Sequence, residues 1–168
     1  MRSNTHDNVQ TAFAGESQAN RKYIFFAEKA AAEGYQQVAK LLRAVADAET
    51  VHARNHLRVL TGIKSTEENL SSAINGEHYE FSTMYPSFIK KAEEEGAEKA
   101  KNSFNLANKV EKIHHTLFQS VLSKTKAGEV IEQKPVCVCQ VCGYTIEGEA
   151  PERCPVCGAP TKMFKAIE

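Results

Sequence analysis

The sequence lacks an excess of charge of either sign. Its 21 Lys and Arg face 21 Asp and Glu, so the electrostatic footprint of a protein that binds nucleic acid or an anionic membrane surface is missing. Long apolar runs are missing too. The densest, YIFFA from Tyr23 to Ala27, is far too short to span a bilayer, and the opening MRSNTHDNVQ holds no apolar segment of the kind that directs secretion. A cytoplasmic protein with neither nucleic acid nor membrane as a partner is expected. Cysteine is absent before Cys137, and all five cysteines lie between Cys137 and Cys157. In a reducing compartment, clustering at such short spacings points to a metal site rather than to a disulfide framework.

What the sequence has is helical periodicity. One stripe runs from about Asn4 to Glu33 through Val9, Phe13, Tyr23, Phe26 and Ala30, and stops at Gly34. A second runs from about Gln36 to Leu60 through Leu41, Leu42 and Val45. A third holds GEHYEFSTMYPSFIKKAEEEG and ends near Gly96, with Pro86 expected to bend it. The fourth runs from about Ala97 to Lys126. The spacing predicts an all-α four-helix bundle made of two antiparallel hairpins. One long crossover, TGIKSTEENLSSAING, joins them, and Ser65 with Glu68 forms a candidate capping box within it. A shift of ~62 residues lays Tyr23 on Tyr85, Gly34 on Gly96, Glu49 on Glu111 and His52 on His114, as if one hairpin had been duplicated. Beyond about Thr125 the stripe ends, and Pro, Gly and Cys dominate. A boundary near Lys134 separates a helical domain, 1–133, from a small knuckle domain, 134–168.

Ionisable residues interrupt the stripes where apolar ones belong. Glu16 sits on the first, Glu49 and His52 on the second, Glu77 and Glu80 on the third, Glu111 and His114 on the fourth. Each pair is three residues apart and so shares a face. Counted from the turns at Gly34 and Gly96, at ~1.5 Å per residue, all of them fall about 22 to 27 Å along the bundle. Five carboxylates in one buried layer would repel one another and lose solvation, and divalent cations remove both costs. Carboxylates with one imidazole per ion suit iron or manganese, and Glu-x-x-His on two helices with a Glu from each of the others is the arrangement of ferritin-like di-iron proteins. His56 reads as a hydrogen-bond donor behind the ligands or a core histidine, and His6, His78 and His115 as surface residues. Tyr23 and Tyr85 face inward near the same layer, where packing is the plain reading and hydrogen bonding to a metal-bound oxygen species the sharper one.

CQVCGY and CPVCGAP each supply a Cys-x-x-Cys knuckle, Cys139 with Cys142 and Cys154 with Cys157. Four thiolates so spaced fit tetrahedral zinc or iron, and a structural zinc ribbon is as good a reading of the spacing as a redox iron. Cys137 is left over and reads as a non-ligand.

Taken in order, AFAGESQANRKY, AETVHARNH, GEHYEFSTMYP, VEKIHHTLF and the two knuckles resemble the rubrerythrin family over nearly the whole chain. The resemblance implies a ferritin-like bundle with a non-haem di-iron centre, followed by a rubredoxin-like domain with one iron on four cysteines. It implies Glu49 and Glu111 as bridging ligands and Glu16, Glu80 and His114 as terminal ones. Glu77 and His52 become the pair that exchange on one iron with its oxidation state, and Tyr23 and Tyr85 the pocket tyrosines. Cys139, Cys142, Cys154 and Cys157 become the rubredoxin-like ligands, with iron favoured over zinc. The activity implied is an NADH-linked peroxidase that reduces hydrogen peroxide to water. Its electrons pass from the cysteine-bound iron to the di-iron centre and are drawn from rubredoxin or an NADH-dependent reductase, in a homodimer or higher homo-oligomer in which helices are either swapped or not. An iron-oxidising, ferritin-like binder and a metal-stabilised bundle with a structural zinc ribbon are the alternatives.

Overall fold

The computed structural model describes residues 4–167, so the first three residues of the polar opening stretch and the final residue lie outside it. The described chain forms two compact units that divide between Lys64 and Ser65. The first is a helical hairpin of α1 (Asn4–Ala32) and α2 (Gln36–Val59). The second holds α3 (Thr66–Tyr79), a π-helical step (Glu80–Met84), α4 (Tyr85–Glu94), α5 (Glu98–Ala127) and a small sheet.

The duplication read from the sequence shows in how the helices end. At the first hairpin turn Tyr35 N–H donates to the Ala30 carbonyl and Gly34 N–H to that of Ala31; at the second, Ala97 donates to Ala92 and Gly96 to Glu93. Both are the paired bonds that close a helix on a residue of left-handed conformation. In the first unit the helices meet through small side chains. Ala27, Ala30 and Ala39 are buried with Leu42 packed on them, while Leu41 and Val45 on the expected stripe stay exposed. Alanine at the contact lets two backbones approach closely. Asn20 fixes the register, since its buried amide donates to the Ala46 carbonyl at 2.6 Å and to Thr50 Oγ1 at 2.8 Å.

The candidate capping box is formed. Glu68 N–H donates to Ser65 Oγ, the Glu68 carboxylate accepts from Ser65 N–H, and the helix behind it starts at Thr66. The stretch read as the crossover therefore carries about three turns of α3. Pro86 stands where the helix type changes. Five residues of π-helix precede it, and Pro86 falls in the first turn of α4, where a missing N–H is tolerated. The sheet has the order β2 (Thr145–Glu147), β1 (Val136–Cys139), β3 (Phe164–Ile167), all antiparallel.

Candidate metal centres

Within the first unit, Glu16 from α1 meets Glu49 and His52 from α2. Glu49 Oε2 lies 2.8 Å and Glu16 Oε1 3.9 Å from His52 Nδ1, and one ligand atom from each falls within 4.8 Å of the others. The three-residue spacing on α2 brings the carboxylate and imidazole together, and the α1–α2 contact supplies the third donor. Tyr23 lies half-buried on α1, its ring 6.3 Å from that of Phe26.

The second unit repeats the pattern with Glu77 from α3 and Glu111 and His114 from α5. Glu111 Oε2 lies 2.8 Å from His114 Nδ1 and Glu77 Oε2 3.7 Å from it. That Glu77 oxygen is buried, and 3.7 Å is too far for it to take a hydrogen bond from the imidazole. Burial, a carboxyl-to-carboxyl contact with Glu111 that only a shared proton makes favourable, and the charge of Glu111 push Glu77 up to about 7. A buried acceptor without a donor, beside a second carboxylate, is an arrangement whose cost a bound cation relieves. The donor set of two carboxylates and an imidazole fits a hard divalent ion such as ferrous iron.

Glu80 stands outside this three-donor cluster, in the π-helical step. Burial and the nearby Glu111 raise its carboxyl above the ordinary range, with His114 opposing them. Tyr85 closes that step, its N–H bonded back to the Glu80 carbonyl. Burial and the charges of Glu111, Glu80 and Glu77 hold the phenol of Tyr85 more firmly protonated than a free tyrosine. The Glu111 hydrogen bond raises His114, against the opposing effect of its burial.

His115 departs from the surface position expected of it. Half-buried, it bonds through Nδ1 to the Ile74 carbonyl at 3.1 Å and packs against Phe81 and the exposed His78 at ring separations of 5.4 Å. Sequence reasoning also missed Thr145, whose Oγ1 lies 3.0 Å from His114 Nε2. No periodicity links positions that far apart.

The four knuckle cysteines gather at the end of the sheet. Cys139 Sγ lies 3.7 Å from Cys157 Sγ, and Cys142 Sγ 3.5 Å from Cys154 Sγ. Four thiolates about 2.3 Å from one metal place neighbouring sulfurs roughly 3.8 Å apart, so the cluster fits a tetrahedral ion. Each knuckle is closed in the same way: Gly143 N–H donates to the Cys139 carbonyl and Gly158 N–H to that of Cys154, both at 2.8 Å. The φ angles of Gly143 and Gly158, +84° and +75°, are ones a side chain would resist. Burial pushes the Cys154 thiol up, but N–H donors from Cys157 and Val156 outweigh it and bring the group down to about 7. Burial raises Cys142 and Cys157. Cys137 is outside the cluster, buried on β1 opposite Ile146 and Ala166.

Residues 7–122 match the rubrerythrin family, and residues 138–165 match its rubredoxin-like domain. The chain belongs to the rubrerythrin family. It is 34% identical to rubrerythrin-2 of Clostridium acetobutylicum over 97% of this chain and 96% of that protein. To the rubrerythrin of Nitratidesulfovibrio vulgaris it is 36% identical, over 98% and 95% respectively. Among solved structures, nigerythrin in a mixed-valence state is similar at a TM-score of 0.58 and 35% identity, covering 99% of this chain and 88% of that one. Rubrerythrins carry a di-iron site and a rubredoxin-like site of four cysteines, and this chain has the carboxylate and imidazole donors of the first and the thiolates of the second. Such a protein is an oxidoreductase. Among the described residues no helix is long and apolar enough to cross a membrane.

Proposed function

We propose that this rubrerythrin reduces hydrogen peroxide to water in a reducing cytoplasm. Electrons enter at the cysteine-bound iron from a rubredoxin or an NADH-dependent reductase, and the working form is a homodimer or higher homo-oligomer. One observation supports the reading above the others: a single chain carries hard carboxylate and imidazole donor sets together with a four-thiolate set. Iron storage alone gives the second no task. When bound, the metal pair supplies the two electrons that O–O cleavage needs and the thiolate-bound iron supplies their replacement.

In this reading residues 1–133 hold the di-iron site and residues 134–168 the four-cysteine site. Glu49 and Glu111 would each serve both ions, Glu16, Glu80 and His114 would each serve one, and Glu77 and His52 would alternate, the harder carboxylate suiting the more oxidised ion. The protein's own contribution to the chemistry is protons. Converting one peroxide to two waters consumes two of them. Tyr85 keeps its phenolic proton among the carboxylates, and Tyr23 holds the repeat-related position on α1.

The test is anaerobic turnover of hydrogen peroxide with NADH, an NADH-dependent reductase and rubredoxin supplied. NADH oxidation that depends on peroxide, and that stops in Cys142→Ser, supports the proposal. Peroxide turnover unchanged in that variant, or ferrous oxidation by dioxygen with no peroxide turnover, contradicts it.

A further inference from the structure

Thr145 lies on β2 just after the first knuckle, and its hydroxyl is committed at both ends. Its single proton goes to the Gly143 carbonyl, 3.0 Å away within the same turn. Toward His114 Nε2, at 3.0 Å, the oxygen can therefore only accept. That leaves Nε2 as the protonated ring nitrogen, with the Gly143 carbonyl as a second acceptor beside the Thr145 hydroxyl. A neutral His114 must then present its Nδ1 lone pair toward Glu111 and Glu77, the two carboxylates at 2.8 and 3.7 Å. Thr145 and His114 also line one cavity of about 380 Å³, with Glu77, Phe118, Val136 and Glu147 in its wall. Gly143 N–H is bonded in turn to the Cys139 carbonyl.

We propose that Thr145 is a positioning residue for the carboxylate-rich metal site: its hydroxyl fixes the ring orientation and the tautomer of His114 and ties this imidazole to the turn that closes the first Cys-x-x-Cys knuckle. A ligand histidine whose distal N–H is held by an oxygen acceptor binds its metal more tightly, and loss of such a partner costs about 10- to 100-fold in affinity. Here the partner comes from the small cysteine domain of the same chain. The bonded sequence from Cys139 through Gly143 and Thr145 to His114 makes the knuckle a support for the other metal site as well as a site of its own.

The inference rests on His114 being a metal ligand, and the experiment separates the two. Cobalt(II) affinity of the carboxylate site is measured by chelator competition, in full-length protein whose four cysteines already hold iron, for the wild type, Thr145→Val, Thr145→Ser and His114→Ala. Valine keeps the shape and the strand preference but removes the acceptor. Valine is expected to weaken cobalt binding about 10- to 100-fold, with serine restoring it. The exchangeable ring N–H resonance of the cobalt-bound histidine is expected to persist in the wild type and in serine, and to be lost to solvent exchange in valine. The iron–thiolate absorption reports that the knuckle is intact throughout. Wild-type affinity and a persistent N–H signal in Thr145→Val would overturn the role of Thr145 while leaving His114 a ligand. Unchanged affinity in His114→Ala would overturn both.

Discussion

Glu77 Oε2 lies 3.7 Å from His114 Nδ1, and no hydrogen bond joins them. The gap has a direct consequence for the metal-free protein. Glu77 is raised from 4.5 to about 7 by burial and Glu111, and His114 is raised above 6.5 by its bond to Glu111. A raised folded-state pKa contributes stability that is present below the unfolded value and is lost as pH rises through the folded value. Metal-free protein is therefore expected to lose stability as pH rises from about 4.5 through about 7 on account of Glu77, with His114 adding a loss of the same sign above 6.5. Urea midpoints across that range are the check, and a midpoint that rises through pH 7 would be the wrong sign.

Metal binding must displace those same protons. Near pH 6 ferrous iron is expected to release protons from Glu77 and His114, with release declining as pH rises past about 7, where Glu77 titrates. Titration calorimetry in buffers of different ionisation enthalpy reads the number directly. Release independent of pH would mean these two groups are not ligands.

Glu49→Ala and Glu111→Ala each remove a carboxylate within 2.8 Å of an imidazole. Both variants are expected to lose iron from the carboxylate site while the four-cysteine site keeps its red colour. Iron content per chain, measured after reconstitution, decides it; an unchanged stoichiometry would contradict the ligand assignment.

Two variants test what holds the helices. Ser65→Ala removes one half of a reciprocal cap and is expected to cost about 0.5 to 2 kcal/mol. Asn20→Ala removes buried bonds to Ala46 and Thr50 across α1 and α2, for a loss of about 1 to 3 kcal/mol. Denaturant unfolding of each gives the difference. Thr116→Ala, where only an exposed hydroxyl within α5 is lost, is the near-neutral comparison.

What could be read in the sequence followed from local rules. Glu49 with His52 and Glu111 with His114 are three apart on helices, so their pairing is set by helix geometry alone, and Ser65 with Glu68 obeys the same kind of rule. The two Cys-x-x-Cys turns are equally local. What escaped reading depends on contacts distant in sequence or on competition between helix types. His114 meets Thr145 only because β2 lies against α5. The π-helical step at Glu80 is a one-residue change of register that apolar periodicity cannot register, and His115 is half-buried because α3 presents the Ile74 carbonyl to it. The stripe through Leu41 and Val45 marked an apolar face, but alanines make the close α1–α2 contact, since only small side chains permit that approach.

The central claim is that electrons held at the four cysteines reach peroxide through the carboxylate site. The direct measurement reduces the iron-loaded protein anaerobically, mixes it with stoichiometric hydrogen peroxide and follows the visible absorption of the thiolate-bound iron from milliseconds to seconds. Rapid return of the oxidised colour with peroxide consumed, abolished in Glu111→Ala, is the expected result. Colour that returns equally fast in Glu111→Ala, or a reduced thiolate iron that survives while peroxide disappears, would contradict it.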